Sequence, residues 1–479
     1  MKKFSAVIST FLLTLAAPCW GQADRVDDFV REQMQAGHIP GMSVGVVQDG
    51  KVLLAKGYGF ANVELGTKAT AATQYEILSV TKQFTAAAIL VLVEEAKIGL
   101  DDTVAKFLPD SPASWKDVTI RHLLTHTSGI EDYTDIPPFF EQIRLEATPD
   151  ELLKPVKERP LLFKPGTQWR YSNSNYYLLG QAIEKVSGKK YEELLNERIF
   201  QPLEMTATRM NDHRDIIPNR AAGYNWIGEN IDGPPAFITG FHGKKNVLQN
   251  AIYISPSRKW AAGAIVSSVN DLIKWDQALY SDKLIKKATR QQMWAPAVLS
   301  TGEKANYGFG NELRNLRGHR IAGHQGGGMA FDCTLYRFVD DKLAVIVLCN
   351  QTTAPSRTIA ARIASFFLPD LADPEKGIDD TEPKVTALLK GVLTDAAQGK
   401  VDASLFSPGS QEMVNFIRKV GPEFLHPAGE LQSLTLLERR IDGDQRGYRY
   451  RAKFQNKAVV WTFALTPNGM ILGLQPTDE

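Results

Sequence analysis

Residues 75–100, YEILSVTKQFTAAAILVLVEEAKIGL, carry the pattern of a helix that is buried in a protein core. Its apolar side chains recur at steps of three and four residues, at Phe84, Ala87, Ala88, Val91 and Leu92. The first predicted turn holds Ser79 and Lys82, and positions three apart share one face of a helix. A lysine at the point where an apolar helix enters the core indicates a chemical role for its amine.

The Ser79 and Lys82 pair has the chemistry of an activated nucleophile. A serine hydroxyl is a weak nucleophile until a base takes its proton, and a lysine in an apolar cleft loses the hydration that favours its ammonium form. The helix N-terminus also favours negative charge on the serine oxygen. The alternative is a serine that caps the helix beside a lysine that snorkels to the surface. A second S-x-x-K, at residues 187–190, lies in a predicted turn and is interpreted as surface.

Two further motifs each occur once in the chain. The Y-x-N of residues 171–173 lies on a predicted loop before a helix, where a phenol can shuttle a proton and an amide can bind a substrate carbonyl. Its serine or asparagine could instead only cap that helix. The H-x-G of residues 324–326 lies at a predicted strand end, followed by glycines that let a ligand approach backbone N–H groups. The alternative for His324 is an ordinary strand histidine beside a loose turn.

Strand patterns frame the helical middle of the chain. Residues 41–64 predict a hairpin around Asp49-Gly50. Strand patterns return late, at residues 306–313, 319–328 and 331–350, before a helix at 358–368. Early and late strands that bracket helices predict an α+β fold: an antiparallel sheet flanked by helices, plus a helical subdomain. Residues 207–270 are irregular and rich in Gly, Asn and Pro, which is typical of a segment that shapes a site.

A second, small domain is predicted at the C-terminus. Residues 371–384 are polar, acidic and rich in turn formers, which indicates a linker. Residues 385–479 carry two helical segments followed by alternating strand patterns, so they predict a small α+β domain of unknown role.

The N-terminus has the pattern of a signal peptide, predicted at residues 1–23. Lys2 and Lys3 precede an apolar stretch at residues 4–17, and residues 21–23 form a small-x-small cleavage pattern. The chain is therefore predicted to be exported, to the periplasm or the medium. Pro18 before Cys19 is a poor match to a lipid-attachment site, so no lipid anchor is expected. No later stretch is long enough to span a membrane.

Charge and composition exclude several partner classes. Lys+Arg total 55 and Asp+Glu 54, which argues against a nucleic-acid or membrane-surface partner. No metal-ligand pattern is present in the sequence, so neither a metal nor another cofactor is expected. Cys333 and Cys349 lie on the two arms of a predicted hairpin, and we expect two free, buried thiols. A homo-oligomer is left open.

In this order, the motifs at Ser79, Tyr171 and His324 resemble those of the serine β-lactamase and penicillin-binding protein superfamily. The sequence of residues 99–130 resembles that of the class C β-lactamase branch, which includes D-aminopeptidases, DD-carboxypeptidases and esterases. The resemblance implies a hydrolase domain of the β-lactamase/transpeptidase-like fold at residues 24–370. His126 lies within this family-like segment, and its role is interpreted as structural.

The resemblance also implies a role for each motif residue. Ser79 would be the acylated nucleophile, and Lys82 and Tyr171 would share the proton transfers. The oxyanion hole would be formed by the backbone N–H groups of Ser79 and Gly327, which lowers the barrier to acylation. Substrate binding would fall to Asn173, His324 and Gly326.

One departure from the family pattern bears on the substrate. Many members have Lys-Thr-Gly where this chain has the motif of residues 324–326, and that lysine helps to hold a substrate carboxylate. Histidine is mostly neutral at pH 7, which weakens the case for efficient β-lactam hydrolysis and looks more like the aminopeptidase and esterase members. The sequence therefore predicts an exported serine hydrolase that cleaves an ester or a D-amino-acid-containing amide or peptide through acyl-Ser79. The alternatives are a β-lactamase or DD-carboxypeptidase, and a penicillin-binding or sensing protein without turnover.

Overall fold

The structure, a computed structural model, describes residues 20–228, 246–372, 376–442 and 445–478. Two compact units divide the chain between Phe367 and Leu368. The core of the predicted signal peptide and Cys19 lie outside the described residues. Helix α1 (Trp20–Ala36) runs through the predicted cleavage pattern. None of the helices in these ranges combines the length and apolar character needed to cross a bilayer.

The first unit is centred on a seven-stranded antiparallel sheet. From one edge to the other, its strands are β11 (Glu312–Leu316), β12 (His319–Gly327), β13 (Asp332–Phe338), β14 (Leu343–Cys349), β1 (Gly41–Gln48), β2 (Lys51–Asn62) and β3 (Thr67–Lys68). The early strand β1 pairs with the late strand β14, so the predicted pairing of early and late strands is confirmed. The β1–β2 hairpin around Asp49-Gly50 is also confirmed.

Shorter strands and helices surround this sheet. The shorter strands are β4 (Tyr75–Glu76), β5 (Arg209–Met210), β6 (Tyr224–Ile227), β7 (Val247–Asn250), β8 (Ile265–Ser267), β9 (Ala297–Val298) and β10 (Lys304–Ala305). The helices are α2 (Thr81–Glu94), α3 (Ile120–Leu124), α4 (Pro149–Lys157), α5 (Asn173–Ser187), α6 (Tyr191–Leu195), α7 (Trp260–Gly263), α8 (Val269–Ala278), α9 (Lys287–Met293) and α10 (Ser356–Phe367).

Helices cover both faces of the sheet. The central strands β1, β13 and β14 are therefore buried along almost their whole length. On one face, a Cβ at Gly45 of β1 would lie 2.7 Å from Val269 of α8, so this glycine lets the helix approach closely. On the other face, Thr334 of β13 is hydrogen-bonded to Ser356 at the start of α10. The predicted α+β architecture is confirmed.

The register of the β13–β14 hairpin keeps its two cysteines apart. Cys333 is paired with Leu348, and Cys349 with Asp332, so the two thiols point to opposite faces of the sheet. Both thiols are free and buried, as predicted. The connection between the strands holds residues 339–342.

The predicted strand at residues 306–313 is wrong for most of its length, because β11 begins only at Glu312. Gly310 has a φ of +66°, in the left-handed region, and a Cβ there would lie 2.5 Å from the carbonyl oxygen of Lys82. This backbone therefore passes against α2 as a loop, and it brings Tyr307 into the core.

We expect Gly310→Ala to lower the free energy of unfolding by more than about 2 kcal/mol, because a left-handed φ and a backbone clash act together. Gly318→Ala is the matched control, since Gly318 has a φ of +87° but open space around its Cβ position. The control should lose about 1 kcal/mol. Urea unfolding measures both, and equal losses would contradict the close approach to α2.

The second unit combines two helices with a four-stranded antiparallel meander. Its elements are α11 (Pro383–Ala397), α12 (Gln411–Leu425), β15 (Leu431–Asp442), β16 (Gln445–Phe454), β17 (Ala458–Leu465) and β18 (Ile471–Asp478). Its core is built from buried residues of these elements, such as Leu389, Tyr450 and Phe463. Helices followed by strands is the order that the sequence predicts.

Candidate active site

Ser79 lies in a tight turn between a strand and a helix. Strand β4 ends at Glu76, a 3₁₀ turn covers Leu78–Val80, and α2 begins at Thr81. The sequence predicts that Ser79 lies in the first turn of the helix. Leu78 has a φ of +49°, which a regular α-helix does not contain, and the regular helix begins at Thr81, two residues after Ser79. The predicted contact between the two side chains is nevertheless present, since Lys82 Nζ lies 3.1 Å from Ser79 Oγ.

Lys82 is fully buried in the first turn of α2. Its Nζ lies within hydrogen-bond distance of three oxygens: 3.1 Å from Ser79 Oγ, 2.8 Å from Asn173 Oδ1 and 2.7 Å from the Ala262 carbonyl. Burial lowers the pKa of Lys82 to about 7, against the opposing attraction of the Asp132 and Glu312 carboxylates. A neutral amine is therefore well populated at neutral pH, as a general base requires.

Tyr171 comes from the loop before α5 and reaches the serine directly. Its phenol donates a hydrogen bond of 2.9 Å to Ser79 Oγ. Burial is the main cause that raises the pKa of Tyr171 well above 10, so the phenol carries its proton at neutral pH. The ring packs at 4.4 Å between centroids against His126. Two side chains that can each take or give a proton thus flank the same hydroxyl.

Asn173 is the first residue of α5 and links Lys82 to a carboxylate. Its Oδ1 accepts from Lys82 Nζ, and its Nδ2 donates a 2.9 Å hydrogen bond to Asp132 Oδ2. The backbone N–H of Asn173 donates to the same Asp132 oxygen at 2.9 Å. Ser172 precedes the helix but makes no capping hydrogen bond with its side chain. The amide of Asn173 therefore does more than cap the helix.

The end of β12 runs against the turn that holds the serine. A Cβ at Gly326 would lie 2.1 Å from the carbonyl oxygen of Ile77, so glycine is required for this approach. Strand β11 pairs with residues 319–323 only, so on that side the backbone from His324 to Gly327 has no strand partner among the residues that the structure describes. Gly327 is exposed at the strand end. This arrangement suits the predicted oxyanion role of Gly327, which stays a prediction.

His324 is buried, and both ring nitrogens already have protein partners. Nε2 lies 2.9 Å from the Tyr307 hydroxyl, and Nδ1 lies 2.6 Å from the Gln325 carbonyl oxygen. Burial lowers the pKa of His324 to about 4, so the ring is neutral at pH 7. Its ring centroid lies 6.2 Å from that of Tyr171. His324 thus adjoins the site as a neutral, fully bonded side chain.

Sequence reasoning missed three groups of this site: Asp132, Tyr307 and the carbonyl of Ala262. Asp132 lies two residues beyond the segment 99–130 that resembles the family, and no spacing rule connects it to Asn173. Tyr307 lies in the segment that was predicted as a strand. A backbone carbonyl has no signature in sequence, so the contact of Ala262 with Lys82 could not be predicted. His126 is buried among the rings of Tyr171 and its neighbours, which agrees with a structural role.

Comparison with known proteins is consistent with this geometry. The chain matches the Beta-lactamase family over residues 26–366. It is 31% identical over 321 residues to penicillin-binding protein 4* of Bacillus subtilis, covering 64% of this chain and 68% of that protein. It is 30% identical over 430 residues to a D-aminopeptidase of Brucella anthropi, covering 88% of this chain and 75% of that protein.

Among solved structures, the octameric penicillin-binding protein homologue from Pyrococcus abyssi superposes with a TM-score of 0.62. The identity is 26%, and the match covers 95% of this chain and 98% of that one. The family match covers the unit that holds Ser79, Lys82 and Tyr171. The chain belongs to the Beta-lactamase family, and it is a serine hydrolase.

Proposed function

We propose that this enzyme cleaves an ester or a D-amino-acid-containing amide or peptide through a covalent acyl-Ser79 intermediate. The observation that carries the proposal is the hydrogen-bonded set around one hydroxyl, with Lys82 Nζ at 3.1 Å and the Tyr171 hydroxyl at 2.9 Å. A base and an acid on either side of a nucleophile are the parts that acyl transfer needs.

The proposed acylation involves three proton transfers. Neutral Lys82 takes the Ser79 proton as Oγ forms a bond to the substrate carbonyl carbon, and the N–H groups of Ser79 and Gly327 stabilise the oxyanion. Tyr171 gives its proton to the leaving oxygen or nitrogen as that bond breaks, and the Lys82 ammonium returns a proton to the phenolate. Water then attacks the acyl carbon, with the same groups as base and acid.

The proposed substrate class follows from the charge at the end of β12. His324 is neutral at pH 7 and has no free ring nitrogen, so it supplies no cation for a substrate carboxylate. In family members with lysine at this position, that cation helps to hold the carboxylate of a penicillin or a peptide C-terminus. In this chain, such substrates would lack that contact. The D-aminopeptidase relative supports an amide of a D-amino acid.

Export and the limits of the domains are part of the proposal. The N-terminal pattern supports a signal peptide at residues 1–23, and residues 371–384 are proposed as the linker to a module at 385–479. The octameric state of the homologue from Pyrococcus abyssi supports a homo-oligomer.

A substrate panel tests the proposed specificity. We expect kcat/KM for p-nitrophenyl acetate and D-alanine p-nitroanilide to exceed that for nitrocefin and an acyl-D-Ala-D-Ala peptide. The expected difference is about 10- to 100-fold, the worth of one hydrogen bond to a charged group. L-alanine p-nitroanilide is the stereochemical control.

Two outcomes would replace the proposal. Comparable kcat/KM for nitrocefin would indicate a β-lactamase, and comparable turnover of the D-Ala-D-Ala peptide a DD-carboxypeptidase. A stoichiometric burst with no later turnover would indicate a penicillin-binding or sensing protein.

A further inference from the structure

We propose that Asp132 is a positioning residue, which locks the amide of Asn173 so that the lone pair of neutral Lys82 points at Ser79. The inference rests on the proposed function of Lys82 as the base. Asp132 is 5% exposed and lies on the loop before the 3₁₀ turn Tyr133–Asp135. Its carboxylate accepts three hydrogen bonds, from Thr134 N–H at 3.0 Å and from the backbone N–H and Nδ2 of Asn173 at 2.9 Å each.

The direction of the Lys82 lone pair follows from what its neighbours can donate. An ammonium could donate to all three oxygens around Nζ, but a neutral amine has two N–H bonds and one lone pair. The Asn173 Oδ1 and the Ala262 carbonyl can only accept, so they take the two N–H bonds. The Ser79 hydroxyl is the one neighbour of the three that can donate. The lone pair therefore faces the proton that the base must remove.

The carboxylate of Asp132 determines which end of the Asn173 amide faces Lys82. A carboxylate only accepts hydrogen bonds, so the Nδ2 end turns to Asp132 and the Oδ1 end to Lys82. With the amide reversed, Nδ2 would donate to Nζ and occupy the lone pair. The amine could then no longer take the proton of Ser79.

Asp132 is also a buried carboxyl group close to Lys82, and burial raises its pKa, whereas the hydrogen bonds from Asn173 and Thr134 favour its charged form. Within the ranges that the structure describes, its hydrogen bonds come from neutral groups and it forms no ion pair. Glu312, by contrast, pairs with Arg357. The attraction of Asp132 opposes the effect of burial on the pKa of Lys82. Among the described residues, Lys82 also has titratable neighbours in the phenols of Tyr171 and Tyr176 and the imidazoles of His126 and His324.

The first test is Asp132→Asn, which cannot accept from all three donors. We expect the rate of Ser79 labelling by a fluorophosphonate to fall about 10²-fold, the cost of misplacing a reacting group. Loss of the negative charge lowers the pKa of Lys82, so the acid limb of the rate–pH profile should move to lower pH. A merely structural role would lower the Tm and leave that limb in place.

Two further variants separate orientation from charge. Asp132→Asn combined with Asn173→Asp again turns acceptor oxygens toward Lys82, and its labelling rate at high pH should recover at least about tenfold over the single variant. Because a carboxylate then touches Nζ, its acid limb should move to higher pH. Asp135→Asn is the control, since Asp135 is on the same turn but 55% exposed and paired with Arg170 at 3.3 Å. The labelling rate of Asp135→Asn should stay within about twofold of the wild-type rate.

The outcomes distinguish this inference from the proposed function. Labelling of the wild type that does not depend on Ser79 would overturn the proposed function. Labelling that depends on Ser79, with Asp132→Asn at the wild-type rate and acid limb, would overturn the role of Asp132 alone. An Asp132→Asn variant that is slow but not recovered by the double variant would also overturn the orientation argument.

Discussion

Ser79→Ala is expected to lower kcat/KM for p-nitrophenyl acetate by at least about 10⁴-fold and to abolish fluorophosphonate labelling. Removing the nucleophile of a serine hydrolase costs about 10⁶ in kcat where it has been measured, and the fold offers no second hydroxyl in contact with Lys82 Nζ among the described residues. Stopped-flow release of p-nitrophenol and gel fluorescence measure the two effects.

The chain contains its own control for this prediction. Ser187 begins the second S-x-x-K, but it ends α5 at the surface, and its Oγ accepts from the backbone N–H of Lys189. Ser187→Ala should therefore keep wild-type turnover and labelling. Labelling that survives Ser79→Ala would remove the site assignment.

Lys82→Met is expected to lower the acylation rate by about 10²- to 10⁴-fold, the range of general-base catalysis. Methionine keeps the length and burial of the side chain but has no basic nitrogen. In the wild type, kcat/KM should rise with pH through about 7, because the pKa of Lys82 is lowered to about 7 and the neutral amine is the active form. A wild-type rate that is flat from pH 5 to 9 would contradict this role.

The same burial predicts how stability depends on pH. An unfolded lysine holds its proton up to pH 10.5, whereas folded Lys82 releases it near 7, so in this window the unfolded state binds more protons. The free energy of unfolding of the wild type should therefore rise with pH relative to Lys82→Met, by about 2 kcal/mol between pH 7 and 9. Urea titrations at both pH values measure the difference.

The exposed Lys190 provides the control for both effects. It belongs to the second S-x-x-K, and Lys190→Met should leave the rate and its pH dependence unchanged. If the stability difference between wild type and Lys82→Met does not change from pH 7 to 9, folded Lys82 keeps its proton and cannot be the base.

Much of the fold was predictable because local patterns were strong. The alternation and the Asp49-Gly50 turn predicted the β1–β2 hairpin, and the late strands and α10 followed in the same way. The segment at residues 306–313 failed, since its alternation resembles a strand while a left-handed Gly310 and close packing on α2 impose a loop.

The candidate site was predictable to the extent that its members belong to short motifs. Ser79 and Lys82 are three residues apart at the junction of the 3₁₀ turn and α2, so their contact follows from the spacing of a helical turn. The contact of Tyr171 with Ser79 was implied by resemblance to a family, and the geometry agrees with it. Contact of His324 with substrate stays a prediction, and the structure adds that both ring nitrogens are bonded within the protein, which no pattern around His324 reveals.

By itself, the sequence determined the element types, the pairing of early and late strands, and the identity of the hydroxyl and the amine. The element types and the spacing of the hydroxyl and the amine depend on residues close in the chain or on a periodic apolar pattern, and the strand pairing was inferred from the order of the elements. Only the tertiary structure decided the charge state of Lys82 and the direction of its lone pair. Both depend on burial, on the acceptor oxygens of Asn173 and Ala262, and on Asp132 behind Asn173. These residues lie far from Lys82 in sequence and come together only in the folded core.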